Sequence, residues 1–435
     1  MSAAESVGRA YARIGEAGRP EVWIALRPER EALAEARAID DRTGAGEELP
    51  LAGVTLAVKD NIDVAGMETT AACPSFAYRA DADAVVIARL REAGAIVVGK
   101  TNMDQFATGL VGTRSPYGAV RDARRLEYVS GGSSSGSAVA VALGEVDLAL
   151  GTDTAGSGRV PAALQGIFGI KPTRGLVPTL GIVPACPTLD CVSVFARSLE
   201  LGLLATALAG GPHADDLGGR TWPPEVPLGG PPAPLIAVPS LRQLTELSPE
   251  AGRRFIEAGS RLEETGADLL EIDLSPFLQA GLLLYNGALV AERYAAVGRF
   301  LAEHPDDADP HVGAIIAAAE SVLAHQLVSD RERVAELRQA ALRSLGEAHA
   351  LMLPTTTRQP TIAEVERDPI AVNSRLGTYT NFCNLFDMCA LAVPAGEADG
   401  GQFGVTLFAP AFHDLLLGDI AARLSAAVPI EAAVC

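Results

Sequence analysis

The chain reads as an α/β protein, a mixed central sheet flanked by helices on both faces. Three observations predict this. Short apolar runs ending in polar turns alternate along the chain with longer helix-like stretches. Hydrophobic residues make up 48% of the 435 and charged residues 20%, a balance that buries a large core and excludes a disordered chain. Aromatics are only 5%, so the core is aliphatic and suits helices packed on a sheet. The length fits one large α/β domain or two domains.

Residues 1–50 are expected as N-terminal helices packing on the core, because Leu26, Leu33 and Ala36 recur near helical spacing. A main domain is expected over 51–430, with no separate C-terminal domain. It starts with the β-like run Gly53–Asp60, which ends in a polar turn. A helix follows over 84–92 and a strand over 95–98, the latter running into Gly99-Lys100-Thr101-Asn102. Residues 137–143 read as a buried helix and 146–150 as a strand. Glycine and proline crowd 211–234, which reads as a surface excursion. A strand restarts at Leu235–Pro239, helices dominate 249–348, and strand character returns at 350–357, 391–394 and 404–408. A last helix covers about 414–427.

The formal net charge of −19 argues against nucleic acid and an anionic membrane as partners, since both select basic surface. It also means that an anionic ligand needs a local cation to hold it. No apolar run is long enough to span a bilayer, and the N-terminus lacks a signal pattern, so a cytoplasmic protein is expected. The six cysteines (Cys73, Cys186, Cys191, Cys383, Cys389 and Cys435) form no Cys-x-x-Cys pair and have no histidine at ligand spacing. Buried free thiols are expected, with no metal and no organic cofactor.

The chemistry concentrates between Gly131 and Gly175. Gly131-Gly132-Ser133-Ser134-Ser135-Gly136-Ser137 and Gly151-Thr152-Asp153-Thr154-Ala155-Gly156-Ser157-Gly158-Arg159 place hydroxyls and glycines around two apolar elements. No Lys follows as in a phosphate loop, and the glycines miss the dinucleotide fingerprint. A serine nucleophile needs a base and a site for the oxyanion. None of the six histidines lies near these loops, and the Gly-x-Ser-x-Gly elbow fails at Ala155 and Arg159. A buried, neutral lysine serves instead. Lys59, at the end of the Val54–Val58 run, fits if burial takes its pKa from about 10.4 to near 7. An ordinary surface or ion-paired lysine is the other reading.

With Val58-Lys59-Asp60-Asn61-Ile62, Gly99-Lys100-Thr101-Asn102, the hydroxyl-rich run, Gly151–Arg159 and Gly169-Ile170-Lys171-Pro172-Thr173-Arg174-Gly175, the chain resembles the amidase signature family over about residues 20–425. Within it, Ser135, Ala155 and Gly158, together with the stretches Thr108–Gly118 and Val183–Cys186, resemble the allophanate hydrolase branch. The resemblance implies the amidase signature fold and a Ser–cis-Ser–Lys triad. Lys59 would be the base, Ser133 (24 residues ahead of the nucleophile) the bridging serine in a cis peptide, and Ser157 the nucleophile. Backbone N–H groups of Thr154, Ala155, Gly156 and Ser157 would form the oxyanion hole. Asp153 and Arg159 would orient them, a plain surface ion pair being the alternative. Tyr285 and Arg293 would clamp the substrate carboxylate. They lie eight residues apart, about 2.2 turns if one helix carries both; a core tyrosine beside a surface ion pair is the alternative. Asn381 and Asp387 would line or support the pocket. The implied reaction is hydrolysis of a small anionic amide, allophanate, by a homodimer. The rivals are another small-amide hydrolase and an amidotransferase A-type subunit.

Overall fold

The computed structural model describes residues 1–426. Its strands are β1 (Trp23–Leu26), β2 (Thr55–Lys59), β3 (Glu68–Thr69), β4 (Tyr78–Arg79), β5 (Ile96–Thr101), β6 (Leu148–Asp153), β7 (Phe168–Lys171), β8 (Cys191–Ala196), β9 (Leu235–Pro239), β10 (Asp268–Ile272), β11 (Ala350–Pro354), β12 (Met388–Ala398) and β13 (Gly401–Pro410). β3 and β4 pair with each other alone. The other eleven form one sheet in the order β1-β5-β2-β6-β8-β7-β12-β13-β11-β9-β10. β2 runs parallel to both β5 and β6, whereas β6, β8, β7, β12, β13 and β11 pair antiparallel in turn, so the sheet is mixed.

Strand periodicity divides the core. Leu56, Val58, Val97, Leu148, Leu150, Val192 and Val194 belong to one buried apolar cluster, while their neighbours Ala57, Val98, Ala149 and Phe195 belong to another. Successive side chains point to opposite faces of a strand, so both faces of the sheet are covered. The helix Ser135–Ala142 covers the second face and is buried from Ser135 to Val141. Gly136 allows its close approach: a Cβ there would lie 2.7 Å from the Asn102 nitrogen.

Several elements differ from the sequence expectation. Residues 1–50 are not helical throughout. Helices Ala3–Ala17 and Glu29–Gly44 flank β1, which is the edge strand beside β5. Four residues bracketed by Pro20 and Pro28 are too few to show an alternation. β7, β8 and β10 also escape the sequence reading, the last inside a stretch expected to be helical.

Residues 211–234 hold no helix or strand, as expected, yet they are pinned. Arg220 donates to Asp387 at 2.8 Å and stacks 4.3 Å over the Phe412 ring. The expected boundary at residue 430 and Cys435 lie outside the described residues. The five described cysteines are free and buried. Among the described residues no single helix is long and apolar enough to cross a membrane.

Candidate active site

Lys59 is the last residue of β2, fully buried between β5 and β6. Parallel pairing of Val58 with Leu150 brings Thr152 alongside it. Lys59 Nζ donates to Thr152 Oγ1 at 2.7 Å and lies 2.8 Å from Ser133 Oγ. Burial is the main force on the amine and lowers its pKa. Asp104, Asp190 and Asp153 push it back, Arg293 lowers it further, and it settles at about 7. At neutral pH the amine can therefore hold or release a proton.

The Gly132–Ser133 peptide is cis. The serines that follow it spend their hydroxyls on backbone: Ser134 Oγ donates to the Thr152 carbonyl at 3.1 Å, Ser135 Oγ to Asn102 O at 3.3 Å and Ser137 Oγ to Leu150 O at 2.8 Å. These bonds fasten the helix Ser135–Ala142 to β6 and to the loop after β5. Among the serines of this run, Ser133 alone turns its hydroxyl to the lysine. The Ser134 N–H donates to the Ser157 carbonyl at 3.4 Å, so the two hydroxyl-rich loops meet. Among the described residues no hydrogen bond joins the Ser133 and Ser157 hydroxyls.

β6 ends at Asp153, and the loop Thr154–Gly158 carries Ser157 into the helix Arg159–Gln165. The Asp153 carboxylate closes this loop. It accepts the N–H groups of Gly156 (2.8 Å), Gly158 (3.1 Å) and Arg159 (3.2 Å), and both Nε (2.9 Å) and Nη2 (2.8 Å) of the Arg159 guanidinium. Burial opposes its ionisation, but Arg159 and these donors win and hold its pKa below the ordinary value. Asp153 and Arg159 are thus a fully buried ion pair rather than a surface one. The Gly156 N–H, expected to face an oxyanion, is taken by Asp153. The N–H groups of Thr154, Ala155 and Ser157 have no hydrogen bond among the described residues. Gly156 has φ +131°, a region open to glycine, and Thr380 packs against it.

Tyr285 and Arg293 do not share one helix. The helix Ser275–Asn286 stops at Gly287, a short 3₁₀ turn follows, and Arg293 ends the segment Ala291–Arg293. Asp330 accepts the N–H of Ala288 at 2.5 Å where the chain breaks. The two side chains nevertheless meet: Arg293 Nη2 donates to the Tyr285 hydroxyl at 3.1 Å and Nη1 to Thr108 Oγ1 at 2.8 Å. Arg293 is 1% exposed, no acidic side chain pairs with it among the described residues, and its Nε has no partner. Tyr285 packs against the cluster of Ala155, Cys186, Leu189 and Leu284, so this pair borders the Ser157 loop.

Sequence reasoning missed several supports. Asp190 accepts from Thr154 Oγ1 at 2.5 Å and from the N–H groups of Ala185 (2.8 Å) and Cys186 (3.1 Å), tying the loop 183–190 to the Ser157 loop. Asp104 accepts three N–H groups of the segment 111–114 and lies among the charges acting on Lys59. Neither aspartate belongs to a pattern in the sequence, so neither offers a signal there. Asp387 is engaged by Arg220 and Arg174 and, among the described residues, makes no hydrogen bond to the site. The nearer contributor from that segment is Asn384, whose Nδ2 donates to the carbonyls of Asp153 (2.7 Å) and Leu189 (2.9 Å).

A buried lysine–serine pair beside a glycine-rich serine loop, on a mixed α/β sheet, fits the family that the sequence motifs suggest. The Amidase family model matches residues 5–417, and the chain belongs to that family. It is 45% identical over 410 residues to the urea amidolyase of Saccharomyces cerevisiae, covering 92% of this chain but only 22% of that relative. It is 35% identical to the A subunit of the glutamyl-tRNA(Gln) amidotransferase of Symbiobacterium thermophilum, over 97% of this chain and 92% of the relative. Among solved structures, the allophanate hydrolase of Kluyveromyces lactis superposes with a TM-score of 0.91 at 41% identity, over 100% of this chain and 72% of that one. The chain thus spans about a fifth of the length of the urea amidolyases it matches.

Proposed function

We propose that this chain is a serine amidohydrolase that hydrolyses allophanate, with Lys59, Ser133 and Ser157 as its catalytic residues. Neutral Lys59 takes a proton from Ser133, which takes one from Ser157, and the Ser157 alkoxide attacks the terminal ureido carbonyl. The oxyanion forms against the N–H groups of Thr154, Ala155 and Ser157; Gly156 joins them only if its N–H leaves Asp153. The C–N bond breaks, the proton returns through Ser133 to the leaving nitrogen, and ammonia departs. Water attacks the acyl-enzyme along the same relay and frees N-carboxycarbamate, which decomposes to carbamate and carbon dioxide.

The observation that carries the choice of substrate is Arg293. It is a buried guanidinium with no acidic partner among the described residues, oriented by Tyr285 and Thr108 beside the Ser157 loop. Such a group is costly unless an anion completes it, and a planar carboxylate matches its fork. Allophanate carries a carboxylate on the amide it would present. The likeness to urea amidolyase and allophanate hydrolase supports the same substrate, and the proposal extends to a homodimer in the cytoplasm.

Ser157→Ala and Lys59→Ala are each expected to abolish ammonia release from allophanate; near-normal turnover in either overturns the assignment. Arg293→Ala is expected to raise KM for allophanate by at least tenfold, since a charge-assisted bidentate contact is worth about 1.5–3 kcal/mol. The likeness to a glutamyl-tRNA(Gln) amidotransferase favours a second reading, in which the chain is one component of such an assembly and requires partner subunits. Turnover by the isolated chain excludes it.

A further inference from the structure

The geometry points to a second anion subsite beyond Arg293, built on Arg114, that takes a small carboxylate at the outer end of the pocket. Arg114 and Tyr285 line one cavity of about 300 Å³, together with Asn373 and Ser374. Arg114 is 2% exposed. Its Nη1 donates to the Thr108 carbonyl at 3.0 Å and its Nη2 to the Pro369 carbonyl at 2.9 Å. Nε has no partner, and no acidic side chain pairs with it among the described residues. Two of five guanidinium hydrogens are therefore used, both on neutral carbonyls, and the positive charge is left uncompensated.

Thr108 links the two arginines, since its carbonyl accepts from Arg114 and its hydroxyl from Arg293. Tyr285 links them a second time, as an acceptor for Arg293 and as a wall of the Arg114 cavity. The two guanidinium groups thus share Thr108 and Tyr285 as neighbours, with Arg293 behind Tyr285 and outside the cavity lining. A protein of net charge −19 repels a small anion at long range, and two successive buried cations counter that field at the site itself. Asn373 is already oriented, its Oδ1 accepting the Leu110 N–H at 2.7 Å. In this arrangement Arg114 binds the carboxylate first and passes it to Arg293, and the carboxylated product leaves by the reverse route. The inference rests on the allophanate reading for the inner site and adds an outer one.

The test titrates the Ser157→Ala protein with malonate by calorimetry and compares Arg114→Met and Arg293→Met in that background. Two malonate sites are expected, the weaker lost in Arg114→Met and the stronger in Arg293→Met. A single site untouched by Arg114→Met overturns the outer subsite. If Arg293→Met leaves both intact, the substrate reading fails while the outer subsite stands. In the active enzyme, the ratio of kcat/KM for allophanate to that for biuret, its neutral analogue, is expected to fall about tenfold in Arg114→Met. Arg114→Lys keeps the charge and restores most of that ratio. An equal loss on both substrates marks Arg114 as a purely structural tie and overturns the proposal.

Discussion

Replacing Lys59 with methionine should destroy activity and at the same time stabilise the protein. The amine is buried, and its pKa falls from an ordinary 10.5 to about 7. The unfolded chain binds this proton more tightly than the folded one between those values, so stability rises with pH across that window and is lowest at and below pH 7. A fall of this size corresponds to about 5 kcal/mol against folding at pH 7. Methionine has similar length, carries no charge and fills the same apolar slot. It forfeits the contacts with Thr152 and Ser133, worth about 1 kcal/mol each. The net gain is therefore about 3 kcal/mol at pH 7. It should shrink by about 1.4 kcal/mol per pH unit above pH 7 and reverse before pH 10.5, where the lysine is neutral in the folded chain and half-neutral in the unfolded one. Urea unfolding of both proteins at pH 7, 8, 9 and 10 measures the difference directly, because every other titrating group is common to both. A variant less stable at pH 7, or a difference that does not change with pH, refutes the neutral buried amine and the base assignment built on it.

Two further predictions concern buried carboxylates. Glu145 accepts from Trp23 Nε1 at 2.8 Å while its other oxygen has no partner, and burial raises its pKa to about 7. The folded state thus favours the proton, and the associated stability is lost as pH rises from 4.5 through 7. Glu145→Gln should add about 2 kcal/mol at pH 8 and almost nothing at pH 4, read from denaturation midpoints; the opposite pH trend would show an ionised, stabilising carboxylate. Asp153→Asn leaves the Arg159 charge buried and unpaired, and should lower unfolding free energy by about 3–5 kcal/mol, with Arg159→Met recovering part of it in the double variant. An unchanged unfolding curve would mean that the pair holds nothing in place.

The site was more legible in the sequence than the sheet that carries it. Lys59 stands at the end of an apolar run and the serines crowd two glycine-rich loops, so residue type alone marks them. Residue type alone does not choose among the serines; the family spacing points to Ser133, and the docking of the helix Ser135–Ala142 leaves that hydroxyl 2.8 Å from the lysine. The break at Gly287 is equally hidden. Periodicity carries Tyr285 and Arg293 onto one helix face, whereas the chain bends and delivers them to the same place by another path. β1 and β10 are short segments on the sheet's two margins, next to helices that dominate the local pattern. Arg114 and Asp190 gain meaning only from what surrounds them, since a single arginine or aspartate has no spacing to read.

The lysine, the two serine loops and Asp153 all stand on the β5-β2-β6-β8 part of the sheet, whereas Tyr285 and Arg293 arrive on a helical excursion between β10 and β11. On the proposed assignment, the proton relay and the Tyr285–Arg293 clamp are therefore written on separate stretches of the chain. Exchanging residues 273–348 for the corresponding stretch of a relative would replace that clamp and leave Lys59, Ser133 and Ser157 in place, while Thr108 and Arg114, which lie outside it, would stay behind.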